Sequence, residues 1–241
     1  RRRPFYWRPT GRWNLANPAC WSDPTIMGLK ALLLEHSPGV PTVVTVGVFD
    51  GVHLGHARLL ERVIDITSSA PVKSASVVLM FRRQPRSVLR PQEEFRYLCS
   101  VQHRIRLIQE AGIHTVVPLD FDESIRSITA REFLAMLQDH LGMTDFVIGP
   151  RTAIGRDRAG DPETLGELGT ELGFSLHNVA STYDGDTEIS STAIRRALHN
   201  GDLDGPASML GRRFAIAGTV IIGDQRGRTL GFPTANINPE L

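Results

Sequence analysis

The feature that most constrains the fold is a repeated alternation of β-branched apolar runs with segments of helical spacing. The first run, "VVTVGVF" at residues 43–49, is apolar almost throughout, which is typical of a strand buried on both faces of a parallel sheet. The following segment, "HARLLERVIDI" at 56–66, places Leu59, Leu60, Val63 and Ile64 at helical spacing. Repetition of this order predicts a doubly wound, Rossmann-like α/β domain with a mostly parallel sheet.

Further segments extend the pattern. Thr129 and Glu132 form a predicted capping box at the start of one helix, and Gly112 and Gly201 follow the ends of two others. We expect Arg104 and Arg106 to lie on the solvated face of their helix. The remaining predicted strands cover 74–81, 114–121, 145–149 and 175–181, and the remaining predicted helices cover 101–112, 129–142, 162–173 and 190–202.

Composition narrows the class of protein. The 241 residues are 41% hydrophobic and 22% charged, which is ordinary for a soluble globular protein. No apolar run is long enough for a membrane span. The two cysteines, Cys20 and Cys99, do not make a disulfide framework, so we expect a reducing, cytoplasmic location. The sequence makes no prediction about oligomerisation.

The charge distribution separates the first residues from the rest. Residues 1–26 carry a net +4, and since the whole chain carries +1, the remaining residues carry −3. We predict an N-terminal extension over 1–40, disordered or spurious up to about residue 26, with Met27 as the expected true start. The acidic remainder argues against nucleic acid as the main partner.

The predicted domain organisation has two modules. An α/β domain covers 41–200, and 201–212 is a linker with a short helical turn. Residues 213–241 alternate as a strand and then form a turn-rich loop with a proline, which predicts the truncated start of a second, β-rich module.

The first chemical motif is "DGVHLGH" at 50–56, at the end of the first predicted strand. The carboxyl ends of parallel strands are where such sheets bind ligands. His53 and His56 lie three residues apart at a helix start, where free N–H groups and the helix dipole attract phosphate, and Gly55 permits close backbone approach. Two capping or solvent-facing histidines are the alternative. A metal pair is a further alternative, for which no third ligand is evident nearby.

The second motif is "ISSTAIR" at 189–195. It places Ser190, Ser191 and Thr192 at a helix start and Arg195 one turn further on. Ser191 is a candidate N-cap, and capping alone is the alternative explanation for the hydroxyls. Three hydroxyls followed by an arginine predict a second anion site, with Arg195 suited to a phosphate.

Together, "GVFDGVHLGH" and "ISSTAIR" resemble the paired signature of the nucleotidyltransferase superfamily. The order of the intervening segments, followed by "GRTLGFPTAN" at 227–236, resembles bacterial bifunctional FAD synthetases, which join FMN adenylyltransferase to riboflavin kinase. The resemblance covers about residues 41–238. It implies transfer of AMP from ATP to FMN with Mg²⁺, giving FAD and pyrophosphate. The kinase module of this family phosphorylates riboflavin.

The resemblance also assigns residues. His53, His56 and Arg195 would be catalytic, contacting the phosphates and stabilising the transition state. In the second module, Thr234 and Asn236 match positions that bind Mg–ATP. The other implied nucleotide-binding residues are Gly47, Phe49, Asp50, Gly51, Gly55, Ser190, Ser191 and Thr192.

The chain departs from the family pattern at several positions. Val48 replaces the usual Asn, and "FRRQP" replaces Phe-x-Pro-x-Pro. Arg151, Thr152 and Ile154 replace typical residues near the expected flavin pocket, where Arg151 is a candidate partner for the FMN phosphate. The kinase's catalytic acid is absent from these residues, so we expect no kinase activity from them. Two other functions stay open: nucleotidyl transfer to a different acceptor, and nucleotide or flavin binding without catalysis.

Overall fold

The computed structural model describes residues 28–85, 92, 95–224, 226–232 and 234–239. Its main body is a five-stranded sheet with all neighbouring strands parallel, in the order β3-β2-β1-β4-β5. The strands of this sheet are β1 (Thr42–Gly47), β2 (Ala75–Phe81), β3 (Thr115–Leu119), β4 (Met143–Ile148) and β5 (Ser175–Asn178). The predicted α/β fold is therefore confirmed.

Helices cover both faces of the sheet, because its strands are apolar on both sides. The helices are α1 (Leu29–Glu35), α2 (Leu54–Ser69), α3 (Val101–Glu110), α4 (Glu123–Ser127), α5 (Ala130–Leu141), α6 (Pro162–Leu172), α7 (Ser191–His199), α8 (Asp204–Leu210) and α9 (Arg226–Thr229). On one face α1, α5 and α6 contribute to the core, and on the other face α2 and α3 do. Within the part of the chain that the structure describes, none of the helices combines the length and apolar character that a membrane span requires.

Helix α5 shows how the local sequence fixes an element. The hydroxyl of Thr129 accepts a hydrogen bond from the Glu132 N–H, and the Glu132 carboxylate accepts one from the Thr129 N–H, so the predicted capping box is confirmed. The helix ends at Gly142, which adopts a left-handed conformation with φ 66°. Between these caps, the predicted apolar positions are buried in one cluster, namely Phe133, Leu134, Leu137 and Leu141.

Two short helices flank the predicted α/β domain. Helix α1 lies within the predicted N-terminal extension, yet Leu33 is completely buried in the core beside α5. The short helical turn predicted in the linker is α8, and its Met209 and Leu210 are buried against α7. Helix α1 was not predicted, because an apolar helix of seven residues gives too little periodic signal. The division into domains stays a prediction, and residues 1–27 lie outside the described residues.

The smaller antiparallel pieces lie late in the chain. A short hairpin pairs β6 (Tyr183–Asp184) with β7 (Thr187–Glu188), directly before α7. Strand β8 (Gly218–Ile221) pairs with β9 (Asn236–Pro239), within the predicted second module. The sequence predicted β8 but not β9, because β9 consists of four exposed residues.

The topology determines where a ligand site can form. Chain order reverses at β1, which pairs with β2 on one side and with β4 on the other. In open α/β sheets the crevice at this switch point, beyond the carboxyl ends of the strands, binds ligands. The loop of residues 47–56 follows β1 at this point, and residues 149–154 follow β4.

Candidate nucleotide-binding site

The loop after β1, which we call the histidine loop (residues 47–56), has an unusual backbone. Phe49 has φ 54° and Val52 has φ 39°, both in the left-handed region that non-glycine residues rarely adopt. Phe49 is nevertheless buried, and its ring lies against Gly47, where a Cβ would approach the ring to 3.0 Å. Such strain costs on the order of 1–3 kcal/mol per residue and persists only where surrounding contacts enforce it.

His53 is the N-cap of α2 rather than a residue inside the helix. Its Nδ1 accepts a hydrogen bond from the His56 N–H at 3.3 Å. An accepting Nδ1 carries no proton, so in the neutral ring the proton lies on Nε2, where it can be donated to a ligand. The imidazoles of His53 and His56 stack with centroids 3.7 Å apart. A Cβ at Gly55 would lie 3.1 Å from the His53 ring, so glycine is what allows this ring to fold over the helix start.

Burial keeps both histidines neutral. It lowers the pKa of His53 to about 4, and the charges of Arg151, Arg212 and Arg195 act in the same direction. Burial also lowers the pKa of His56 well below its ordinary value, with His53 as the next cause. The His56 Nδ1 is buried and has no hydrogen-bond partner among the described residues. The pair therefore presents neutral imidazoles that can act as hydrogen-bond donors.

The second motif, which we call the serine helix start (residues 189–195), lies beside the first. Ser190, not Ser191, is the N-cap of α7, since its hydroxyl accepts a hydrogen bond from the Ala193 N–H at 3.2 Å. The suggestion that Ser191 caps the helix was therefore wrong; adjacent serines cannot be ranked without the backbone geometry. The Ser191 hydroxyl instead donates to the Asp50 carbonyl oxygen at 2.8 Å, which joins the two motifs directly.

An ion pair between Arg195 and the buried Asp50 makes a second connection between the motifs. Nη1 of Arg195 lies 2.6 Å from Oδ2 of Asp50, while Oδ1 of Asp50 accepts a hydrogen bond from the Leu98 N–H at 2.9 Å. The Asp50 side chain is 1% exposed. Burial raises its pKa, although the Leu98 N–H and the Arg195 charge oppose this effect. Asp50 thus orients Arg195, and its predicted direct contact with a nucleotide stays a prediction.

The two motifs line one cleft of about 670 Å³ at the switch point of the sheet. Arg151 also lines it and forms an ion pair with Glu188 at 3.4 Å. Gly51 does not line the cleft, because it packs against Leu98 on the far side of the loop. The predicted residues that the structure brings together here are Gly47, Phe49, Asp50, His53, Gly55, His56, Arg151, Ser190, Ser191, Thr192 and Arg195.

A second cavity of about 720 Å³ opens beside this cleft. Three phenylalanines, Phe81, Phe121 and Phe133, contribute to its apolar lining. The two cavities are adjacent, since they share the lining residues Val46, Phe81, Pro85, Ala153, Ile154 and Arg158. The arrangement provides a polar cleft with anion-binding groups next to an aromatic pocket.

The role of Arg104 is not evident from the sequence. The prediction that it lies on a solvated face was wrong, because Arg104 is 1% exposed. Its guanidinium donates to the carbonyl oxygens of Val48, Phe81 and Arg82 at 2.8, 3.1 and 2.7 Å. These oxygens lie where β1 and β2 end, so Arg104 joins the two loops that border both cavities. Arg106 is exposed as predicted.

The residues assigned to the second module are placed elsewhere. Thr234 and Asn236 are both exposed, and Asn236 begins β9. Neither lines the cleft described above. Their predicted contact with Mg–ATP stays a prediction.

Comparison with known proteins agrees with these observations. A sequence model described as FAD synthetase matches residues 36–193, and one described as riboflavin kinase matches residues 210–241. The bifunctional riboflavin kinase/FMN adenylyltransferase of Escherichia coli K12 is 35% identical over 207 residues, covering 85% of this chain and 65% of that protein. The protein of the same description from Pseudomonas fluorescens is 35% identical over 223 residues, covering 88% of this chain and 67% of that protein.

One solved structure shares the fold. A crystal structure of a macrolide-efflux protein from Streptococcus pneumoniae matches with a TM-score of 0.75 and 27% identity, covering 86% of this chain and 67% of that one. The chain spans just under two thirds of the length of the first curated relatives, at 65%. With its matched residues and its paired motifs at one cleft, this chain belongs to the FAD synthetase family.

Proposed function

We propose that this chain is an FMN adenylyltransferase, which transfers AMP from ATP to FMN and releases FAD and pyrophosphate. The observation that carries the proposal is the single cleft lined by both the histidine loop and the serine helix start. Two helix N-termini, an arginine and two neutral imidazoles surround one space, and each of these groups binds phosphate.

The triphosphate of ATP would lie between the two motifs. The N-termini of α2 and α7 supply N–H groups, and Arg195 supplies a positive charge that Asp50 holds in place. The Nε2–H of His53 would donate to a phosphate oxygen. Preformed donors of this kind stabilise charge that develops in the transition state, and phosphoryl-transfer enzymes rely mainly on such positioning and electrostatics.

The aromatic pocket would take the flavin ring of FMN. Its apolar lining suits a large planar ring, and its shared wall with the cleft would bring the FMN phosphate toward the ATP. Arg151 lies in the cleft and would have to leave Glu188 to pair with that phosphate. The proposed role of Arg151 therefore predicts an exchange of partners on binding.

The reaction balances without a covalent enzyme intermediate. A phosphate oxygen of FMN attacks the α-phosphorus of ATP, the bond from that phosphorus to the bridging oxygen breaks, and pyrophosphate leaves with the bond electrons. The neutral imidazoles and Arg195 stabilise the negative charge during this step. We propose a cytoplasmic location for this reaction, in keeping with a chain of two cysteines.

Mg²⁺ would enter with the triphosphate. Among the described residues, no three His, Cys, Asp or Glu side chains cluster as a metal site. The ion would therefore be held mainly by phosphate oxygens, which is common for Mg²⁺ in nucleotide-dependent enzymes. When bound, it would neutralise phosphate charge.

Incubation of the chain with ATP, Mg²⁺ and FMN, followed by chromatography, tests the proposal. We expect FAD and pyrophosphate in equal amounts. Turnover with a different phosphate or acid acceptor, and none with FMN, would support the alternative nucleotidyltransferase. Binding of ATP without pyrophosphate release would support a non-catalytic binding module. Riboflavin with ATP is the separate assay for kinase activity.

A further inference from the structure

The histidine loop receives contacts from a residue far along the chain, Arg212. Its Nη2 donates to the Gly51 carbonyl oxygen at 2.6 Å, and its Nη1 donates to the Val52 carbonyl oxygen at 3.0 Å. Nη1 also lies 3.2 Å from the Leu210 carbonyl oxygen on its own segment. The guanidinium therefore joins two successive carbonyls of the loop to the segment that follows α8.

These two carbonyls lie where two successive residues of the loop, Gly51 and Val52, have positive φ angles. Gly51 has φ 79°, and a Cβ there would lie 2.7 Å from the Leu98 side chain. Val52, with φ 39°, is strained for a β-branched residue. His53, the proposed phosphate donor, follows immediately. A backbone in such a conformation persists only where surrounding groups enforce it, and Arg212 is one of those groups.

The position of Arg212 is itself fixed by packing. Leu210, two residues earlier, is buried in a cluster with Leu98 and Ile194, so α8 is packed against the serine helix start. Gly211 turns the chain with φ 69°, and a Cβ there would lie 2.7 Å from the side chain of Leu54, the first residue of α2. Arg212 thus follows a tightly packed turn at Leu210 and Gly211, and this turn contacts both α2 and α7.

Arg212 lies outside the residues that match FAD synthetase, which end at 193, and within those that match riboflavin kinase, which begin at 210. We propose that Arg212 is a positioning residue for His53, so that the adenylyl-transfer site is completed by the first residues of the kinase-matching segment. This inference rests on the proposed adenylyltransferase function. It predicts that the backbone conformation of the histidine loop depends on a residue from the other module.

The test compares Arg212→Gln, Arg212→Lys and a matched control, Arg213→Gln, in the full chain. Arg213 is exposed and carries the same charge one residue later. We expect Arg212→Gln to lower kcat for FAD formation by about 10- to 100-fold, since a displacement of about 1 Å can cost about 100-fold. Arg212→Lys should recover part of this loss by donating to one carbonyl, and Arg213→Gln should match the unmodified chain.

Hydrogen exchange supplies a readout that does not depend on activity. In Arg212→Gln, exchange should accelerate in residues 50–56 while strand β2 (Ala75–Phe81) stays protected, and one ATP should still bind per chain. Unchanged exchange in residues 50–56 would overturn the proposal, as would accelerated exchange there with an unchanged kcat. If hydrogen exchange accelerates throughout the sheet in both Arg212 variants, Arg212 stabilises the whole fold instead of positioning the loop, and the proposal fails. If the unmodified chain forms no FAD, the proposed function fails, and the exchange result still decides whether Arg212 positions the loop.

Discussion

The Asp50–Arg195 ion pair gives the sharpest quantitative prediction. Asp50→Asn keeps an oxygen that can accept from the Leu98 N–H but removes the charge 2.6 Å from the Arg195 guanidinium. Hydrogen bonds to charged groups contribute about 1.5–3 kcal/mol to stability. Because the Arg195 side chain is 23% exposed and can turn to water, we expect the lower end of this range.

Urea denaturation of four proteins measures the value: the unmodified chain, Asp50→Asn, Arg195→Gln and the double variant. We expect a coupling free energy of unfolding of about 1.5 kcal/mol. A second cycle combines Asp50→Asn with Arg196→Gln, which alters an exposed neighbour on the same helix and should give less than about 0.5 kcal/mol. Equal values in the two cycles would refute the account of Asp50 as the partner that orients Arg195.

The remaining predictions concern the imidazoles and the loop contacts. His53→Ala and His56→Ala should each raise the barrier to FAD formation by about 2.7–4 kcal/mol if each histidine acts like one oxyanion donor, and unchanged kcat in both would contradict their assigned role. The folded-state pKa of His53 is about 4 against an ordinary 6.5, so the unfolded chain takes up this proton first as the pH falls. The contribution of neutral His53 to the free energy of unfolding is therefore complete above pH 6.5. It falls by on the order of 3 kcal/mol as the pH is lowered to 4, which urea denaturation at several pH values measures. In His53→Gln, the free energy of unfolding should depend less steeply on pH. Arg104→Met leaves three carbonyls without a donor, so it should destabilise the chain by about 1–3 kcal/mol for each one that water does not reach. The exposed Arg106→Met is its control, and an equal melting temperature in the two variants would contradict the assigned role of Arg104.

The features recognised from sequence were those encoded locally. The apolar run at 43–49 predicted β1, which the structure places at Thr42–Gly47, and the α5 capping box is a four-residue pattern. His53 and Arg195 each belong to a short motif at a helix start, which the order of residues shows directly.

The features missed depend on groups that only the folded chain assembles. Burial of Arg104 needs carbonyls from the ends of two strands, and Arg212 needs carbonyls about 160 residues away. Nothing in the sequence around an arginine in a helical pattern indicates such partners, so the sequence alone predicts a solvent-exposed side chain. The same reasoning applies to Asp50, whose side chain pairs with a residue of the second motif.

The central claim is that the two motifs bind one triphosphate. A crystal structure of the chain with a non-hydrolysable ATP analogue and Mg²⁺ tests it most directly. We predict phosphate oxygens within about 3.2 Å of both a histidine-loop imidazole, from His53 or His56, and the Arg195 guanidinium. A triphosphate bound outside the cleft, or one that contacts only one of the two motifs, would contradict the account.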